Sequence, residues 1–294
     1  MVFWQELESL LRLIWSHPAN RGARLRAVGR LLHWQFYKRV FRRPLTVQVE
    51  GCRLFRILPD SKFSSLVYYN RLPDWSEMRF LLRCLRKGDG FVDIDANAGF
   101  YSVLASVVIE ASHLWLIEAN PKNVSVIHDQ LALNGLGEAH VFPCALGAKA
   151  GTVSFVANDR ETGMICDGNV QGAFSVPCRS LDALISQWQI PFFTIAKMDV
   201  EGCELEVLDG AKHLLQSGAV AAWLFELSDD NLRQRGASAT ALVTRFKQTA
   251  HRFFIWNELK AHIWKKLSNW IMWLKISSPA SNLKLFRPES CLTE

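Results

Sequence analysis

The chain has 294 residues, 49% of them hydrophobic and 21% charged, so it can bury the core of one large α/β domain or two modest ones and is neither disordered nor fibrous. Its apolar runs break well before the roughly 18 residues of a membrane span, and its start, with Glu6 and Glu8 in place of a basic leader, does not read as a secretion signal. Seven cysteines with no Cys-x-x-Cys pair argue against a disulfide framework or a structural zinc, so a reducing, cytoplasmic setting is expected for a chain of net charge +6.

Trp4, Leu7, Leu11, Ile14 and Trp15 recur at helical spacing and predict an amphipathic helix over 3–16. His17-Pro18 through Gly22 breaks it, and an arginine-rich helix follows over about 23–40. Alternation in 46–50 and 54–58 predicts a hairpin with Gly51 near its turn, and residues 76–86 return to helix. From Gly90 onward strands and helices alternate: strands at Phe91–Ile94, Leu114–Glu118, Ala139–Phe142, Thr152–Val156, Phe193–Met198 and Val220–Leu227, with Phe174-Ser-Val-Pro leading into a helix after a glycine-rich loop. Between them lie helices over 99–109, 120–134, 181–188 and 203–215. That rhythm predicts a mostly parallel sheet covered on both faces. The expected organisation is a basic helical and hairpin extension over 1–75, a cofactor-binding core over 76–228, and a helical segment with the last strand or strands over 229–294.

Charge divides along the same lines. Residues 1–56 hold 11 Lys/Arg against 3 Asp/Glu, and residues 251–294 hold 7 against 3, so the positive ends enclose an acidic body. Seven of the 11 tryptophans lie in these ends. In the C-terminal one, Leu259, Ile263, Leu267, Trp270, Ile271 and Leu274 fall three or four apart with lysines between, predicting another amphipathic helix. Two readings stand side by side: helices that pack over the body, and a peripheral membrane contact through basic, tryptophan-rich surfaces. No nucleic-acid-binding module accompanies the charge, so no nucleic-acid partner is expected.

In such sheets ligands bind beyond the carboxyl ends of the strands, where the strand order reverses. The first core strand leads directly into Asp93-Ile-Asp95-Ala-Asn97-Ala-Gly99 and a helix, a turn that turns backbone N–H groups toward a ligand. Glu118 ends the next strand 25 residues after Asp93, where a carboxylate grips ribose hydroxyls. Asp95, Asn97 and Phe100 stand where a dinucleotide fingerprint needs glycine, which disfavours a pyrophosphate and with it an NAD-linked oxidoreductase. S-adenosylmethionine has no phosphate and carries a sulfonium and an ammonium, which the acidic loop attracts.

A second acidic group, Lys197-Met-Asp199-Val-Glu201, follows a strand, and alternation puts Lys197, Asp199 and Glu201 on one side. Asp199 or Glu201 is a candidate base or anchor for an acceptor hydroxyl, with Lys197 holding the carboxylates. The plainer alternative is that the carboxylates order the loop and favour the helix N-terminus. Nothing in the spacing demands a metal.

Phe91-Val-Asp-Ile-Asp-Ala-Asn-Ala-Gly-Phe-Tyr-Ser, Ile117-Glu-Ala-Asn-Pro121, Leu131-Ala-Leu-Asn-Gly-Leu136, Ala145-Leu-Gly147, Ser180-Leu-Asp182 and Ile195-Ala-Lys-Met-Asp-Val-Glu-Gly-Cys-Glu204 occur in this order. With them the chain resembles the FkbM-type methyltransferases. The resemblance implies an α/β, Rossmann-like class I methyltransferase fold with a seven-stranded sheet whose last strand is antiparallel. It implies S-adenosylmethionine as cofactor and O-methylation of a hydroxylated small molecule or glycan. By the same resemblance Asp93, Asn97 and Gly99 would lie along the methionine part, and Glu118 would hold the ribose. Ala119 and Asn120 would border the adenine, Cys144 and Ala145 its edge, and Asp199 would sit near the transferring methyl. The family has glycine where this chain has Asp95. A side chain there crowds the cofactor or pairs with its ammonium, and a catalytically weak relative kept as a binding scaffold is the alternative reading.

Overall fold

The computed structural model describes residues 2–157, 163–166, 171–188, 193–227, 229–247, 252–254 and 271–276. Chain order begins with α1 (Val2–Ser16), α2 (Arg24–Val40), the hairpin β1 (Leu45–Gln48) and β2 (Leu54–Ile57), α3 (Lys62–Asn70) and α4 (Trp75–Cys84). Then come β3 (Phe91–Ile94), α5 (Phe100–Ala105), β4 (Leu114–Ile117), α6 (Pro121–Leu133), β5 (His140–Phe142) and β6 (Ala145–Leu146). They are followed by β7 (Gly151–Ala157), β8 (Gly163–Cys166), β9 (Phe174–Arg179), α7 (Leu181–Trp188), β10 (Phe193–Met198), α8 (Glu204–Asp209) and α9 (Lys212–Ser217). The described chain ends with β11 (Val220–Leu227), α10 (Asp229–Gln234), α11 (Ala239–Lys247), β12 (Arg252–Phe254) and β13 (Ile271–Ile276). Among the described residues no helix is long and apolar enough to cross a membrane.

Seven strands form one sheet in the order β12-β13-β11-β10-β3-β4-β5, the Rossmann-like α/β architecture read from the sequence. β3 and β4 are buried at every position, as strands covered on both faces must be. The order reverses at β3: the chain moves outward through β4 to β5 and then returns to place β10 on the other side of β3. The carboxyl ends of β3, β4 and β10 therefore surround one crevice.

Four expectations are corrected. β13 runs parallel to β11, with Phe225 opposite Leu274, and β12 runs parallel to β13, so the last strand is not antiparallel. The interval 255–270 is long enough for the crossover that a parallel return requires. Ile271 and Leu274 consequently belong to a strand instead of the predicted C-terminal amphipathic helix, whose remaining positions lie outside the described residues. The strand at 151–157 does not extend the main sheet either. It pairs antiparallel with β8 and β9 in a separate four-stranded sheet, β6-β9-β7-β8. Finally, the helix expected over 203–215 is two helices. Gly210 packs so closely on Gly147 that a Cβ there would come within 2.1 Å of the Gly147 carbonyl oxygen. Asp182 then starts α9 afresh, its carboxylate accepting from the N–H groups of His213 and Leu214 at 2.8 and 3.0 Å.

Helix α3 has no counterpart in the sequence reading, because Phe63, Val67, Tyr68 and Tyr69 favour strands as much as helices. Ser61 caps it, accepting from the Ser64 N–H at 2.7 Å. Its inner face meets α2, where the buried Trp34 indole donates to Ser65 Oγ at 2.9 Å. The hairpin is held to α6 by side-chain amides that imitate a neighbouring strand. Gln130 exchanges bonds of 2.9 and 2.8 Å with the backbone of Arg56, and Asn134 does so with Leu54 at 2.8 Å in both directions. The N-terminal elements thus share one core with β3 and β4, through Ile14, Leu31, Trp34, Phe55, Phe100 and Leu116.

Candidate active site

The loop after β3 winds through three left-handed residues, Asp95 (φ 58°), Asn97 (φ 52°) and Gly99 (φ 74°). Asn and Asp tolerate this region better than other side chains, and glycine enters it without steric cost. The φ at Asp95 supplies a physical reason for the glycine that the sequence resemblance places at this position. Directly beneath the loop lies Glu118, 1% exposed. One of its oxygens accepts from the Asn97 N–H at 2.8 Å and the other from the Asn120 N–H at 2.7 Å. Burial pushes the Glu118 carboxyl up to about 7, and hydrogen bonds from those two N–H groups and with Asp95 work against the rise. Asp95 moves well above the usual carboxylate range, first from burial and then from repulsion by Glu118 and Asp199. The two carboxyls titrate as a coupled pair, both held above the usual carboxylate range.

Across the switch point stands a second centre. The Lys197 ammonium, on a side chain 11% exposed, lies 3.9 Å from Asp93 Oδ1 and 3.7 Å from Asp199 Oδ2. It also donates to the Asp95 carbonyl at 3.5 Å and sits 5.1 Å from the centre of the Tyr101 ring. Asp93 is wholly buried, accepts from Ser102 Oγ at 2.8 Å, and is raised by desolvation against the pull of Lys197. Asp199 is the open member, with 35% of its side chain exposed. Register explains the meeting, since Lys197 of β10 pairs with Asp93 of β3.

Glu201 departs from its expected place. β10 ends at Met198, so strand alternation no longer governs position 201. With φ 51° the residue turns toward α10, where it accepts from Asn231 Nδ2. Gly202 beside it has φ 99°, and a Cβ there would come within 2.6 Å of the Asn231 carbonyl oxygen, so the close approach of α10 requires glycine. Glu204 opens α8 at 1% exposure, with one oxygen accepting from the Gly202 N–H at 3.2 Å and the other lacking a hydrogen-bond partner.

A crevice is lined by Asp95 of the first centre together with Ala119, Cys144, Ala145, Phe155, Ile165, Val200 and Cys203. Its walls are largely apolar, suited to a flat heterocycle. Asp95, Ala119, Cys144 and Ala145 thus line one crevice. Asp93 and Asn120 are buried and engaged from below, the latter capping α6 by accepting from the Lys122 N–H at 3.0 Å. Phe155, Gly163 and Ile165 went unrecognised because their wall belongs to the separate sheet; Phe155 was visible only as one apolar position in an alternating strand. Ser102 and Tyr101, which order the Lys197 centre, lie inside a recognised motif but gave no chemical signal of their own. Among the described residues no group of three His, Cys, Asp or Glu side chains is arranged to hold a metal.

The methyltransferase FkbM domain matches residues 93–270, well over half of the chain and including both carboxylate centres. The chain belongs to the FkbM methyltransferase family. A curated relative, the hexuronic acid methyltransferase AglP of Haloferax volcanii, is 27% identical over 143 residues, 48% of this chain and 57% of that protein. The chain therefore matches little more than half the length of that relative. Among solved structures, a SAM-dependent methyltransferase from Agrobacterium tumefaciens aligns with TM-score 0.38 and 11% identity, over 65% of this chain and 56% of that one.

Proposed function

We propose that the chain transfers a methyl group from S-adenosylmethionine to a hydroxyl of a sugar-type acceptor. The observation that carries this reading is the largely apolar crevice beyond the carboxyl ends of β3 and β4, lined by Asp95, Ala119, Cys144 and Ala145, with the Lys197–Asp199 ion pair at the end of the neighbouring β10. The residues fit such a cofactor in kind: apolar walls at Ala119, Cys144 and Ala145 for adenine, Glu118 for ribose hydroxyls, and acidic groups for a sulfonium and an ammonium. When bound, S-adenosylmethionine supplies a methyl on a good leaving group, so the protein's task is chiefly alignment and exclusion of water. Asp199, exposed and held by Lys197, is the group suited to orient the acceptor hydroxyl and take its proton as the oxygen–carbon bond forms. Glu201, turned to Asn231, orders the floor of the acceptor side. The sugar class rests on the family and on the hexuronic acid methyltransferase relative.

The test is calorimetric titration with S-adenosylmethionine and its demethylated product, followed by transfer of labelled methyl to a panel of neutral and acidic glycosides. Binding and transfer in the wild type, with binding retained and transfer lost in Asp199→Asn, is the expected outcome. Binding without transfer to any acceptor favours the scaffold reading suggested by Asp95. No binding at millimolar concentration removes the enzymatic proposal.

A further inference from the structure

Helix α2 has two apolar faces, and the fold uses only one. Ala27, Leu31 and Trp34 are fully buried against α3 and its neighbours. On the opposite side Leu25, Leu32, Phe36 and Val40 follow one another at seven, four and four residues and are 79%, 62%, 62% and 55% exposed. That spacing keeps them on a single stripe along the helix. Trp15 of α1, 48% exposed, sits beside the same helix, with the Arg24 guanidinium 5.4 Å from its ring centre. Large apolar side chains on an isolated helix face are not explained by core packing.

The charge around the stripe has one sign. Between Glu8 and Glu50 the sequence contains nine Lys and Arg and no Asp or Glu. Arg21, Arg24, Arg26, Arg39, Arg42 and Arg43 are exposed. Arg24 donates to the Trp15 carbonyl and Arg39 to the Gln35 carbonyl, both neutral acceptors. At the end of the helix an open hollow of about 800 Å³ is lined by Lys38, Arg39 and Arg42, with Asp60 on its far side. Burial first, and the neighbouring Arg39 second, lower the Lys38 ammonium.

We propose that this face of α2 docks on an anionic lipid bilayer, with Leu25, Leu32, Phe36 and Val40 entering the headgroup–acyl boundary and the surrounding arginines meeting lipid phosphates. An apolar stripe within a cationic border matches a membrane surface, which offers hydrocarbon under a layer of negative charge. A nucleic acid would satisfy the arginines but leave Phe36 and Leu32 without a partner. A second copy of the chain would bring two cationic borders together, and like charges oppose that contact. The hollow at Lys38, Arg39 and Arg42 would then receive a headgroup phosphate.

The experiment is co-sedimentation of the full chain, without cofactor, with vesicles of phosphatidylcholine alone or mixed with phosphatidylglycerol. Binding is expected to the mixed vesicles only and to weaken at high salt. Arg39→Gln with Arg42→Gln should lower the partition roughly fivefold per arginine. Leu32→Ser with Phe36→Ser, both at exposed positions and so compatible with folding, should lower it about tenfold or more. Equal sedimentation with neutral vesicles, no sedimentation with anionic ones, or unchanged binding by the Leu32→Ser, Phe36→Ser variant overturns the proposal. So does a wild-type dimer in sedimentation velocity that this variant converts to monomer, because it makes a second copy the occupant. Since no cofactor is present, the result is independent of the methyl-transfer reading.

Discussion

Replacing Glu204 with glutamine should stabilise the protein at alkaline pH and leave it unchanged in acid. Glu204 is 1% exposed, one oxygen accepts from the Gly202 N–H at 3.2 Å, and the other lacks a hydrogen-bond partner. Burial is the main cause that lifts its carboxyl from the usual 4.5 to about 7, with Asp199 and Glu201 adding repulsion. The folded state therefore holds this proton more tightly than the unfolded chain does. Its contribution to stability is fully present below about pH 4.5 and is lost as pH rises through 7. Above that, ionising the buried group costs the folded state about 3 kcal/mol, from roughly 1.4 kcal/mol for each unit between the two values. Glutamine is neutral throughout, keeps an acceptor for Gly202, and presents an amide donor toward the carboxylates that repelled its predecessor. Urea unfolding at pH 5 and pH 8 should give variant and wild type nearly equal midpoints in acid. At pH 8 the variant should gain up to about 3 kcal/mol, or about 5 °C or more in a thermal melt at roughly 2 °C per kcal/mol for a chain of this size. A gain of the same size at both pH values, or a loss at pH 8, would refute the argument that burial of an ionised carboxylate is what matters here.

Three further outcomes follow from the same geometry. Asp95→Gly relieves a left-handed aspartate and removes a carboxyl from the crevice wall, so S-adenosylmethionine should bind more tightly to the variant; equal affinities in a side-by-side titration would dismiss the crowding argument. Gly202→Ala puts a Cβ 2.6 Å from the Asn231 carbonyl oxygen at a φ of 99°, and a loss of about 3 kcal/mol is expected, so an unchanged melting temperature would show that α10 can move aside freely. Lys197→Met strips the fully buried Asp93 of its counter-charge and should destabilise by about 3–5 kcal/mol, with partial recovery on adding Asp93→Asn. A double variant no more stable than the single would mean that Lys197 acts through other contacts.

Much of the site was legible because its signals are local. The apolar run Phe91–Ile94 followed by Gly99, the Asn120-Pro121 helix start, and Glu118 and Asp199 just beyond strand ends each declare themselves within a few residues. Glu201 misled for the same reason: alternation holds only while a strand continues, and β10 stops at Met198. The arginines of α2 were equally visible, but which face of that helix the fold would leave open was not.

By itself the amino-acid sequence determined the alternating strands and helices, their order, and the acidic loops at the strand ends, because backbone preference and side-chain periodicity act over short distances. Only the tertiary structure decided that β13 runs parallel, that β7 leaves the main sheet to wall the crevice, and that Lys197 stands between Asp93 and Asp199. It also brought the carboxyls of Asp95 and Glu118 close enough to titrate as a coupled pair. Each of these depends on which distant segments come into contact. Pairing and burial are properties of the assembled chain, and the desolvation that shifts these carboxyls exists only once the surrounding elements have closed over them.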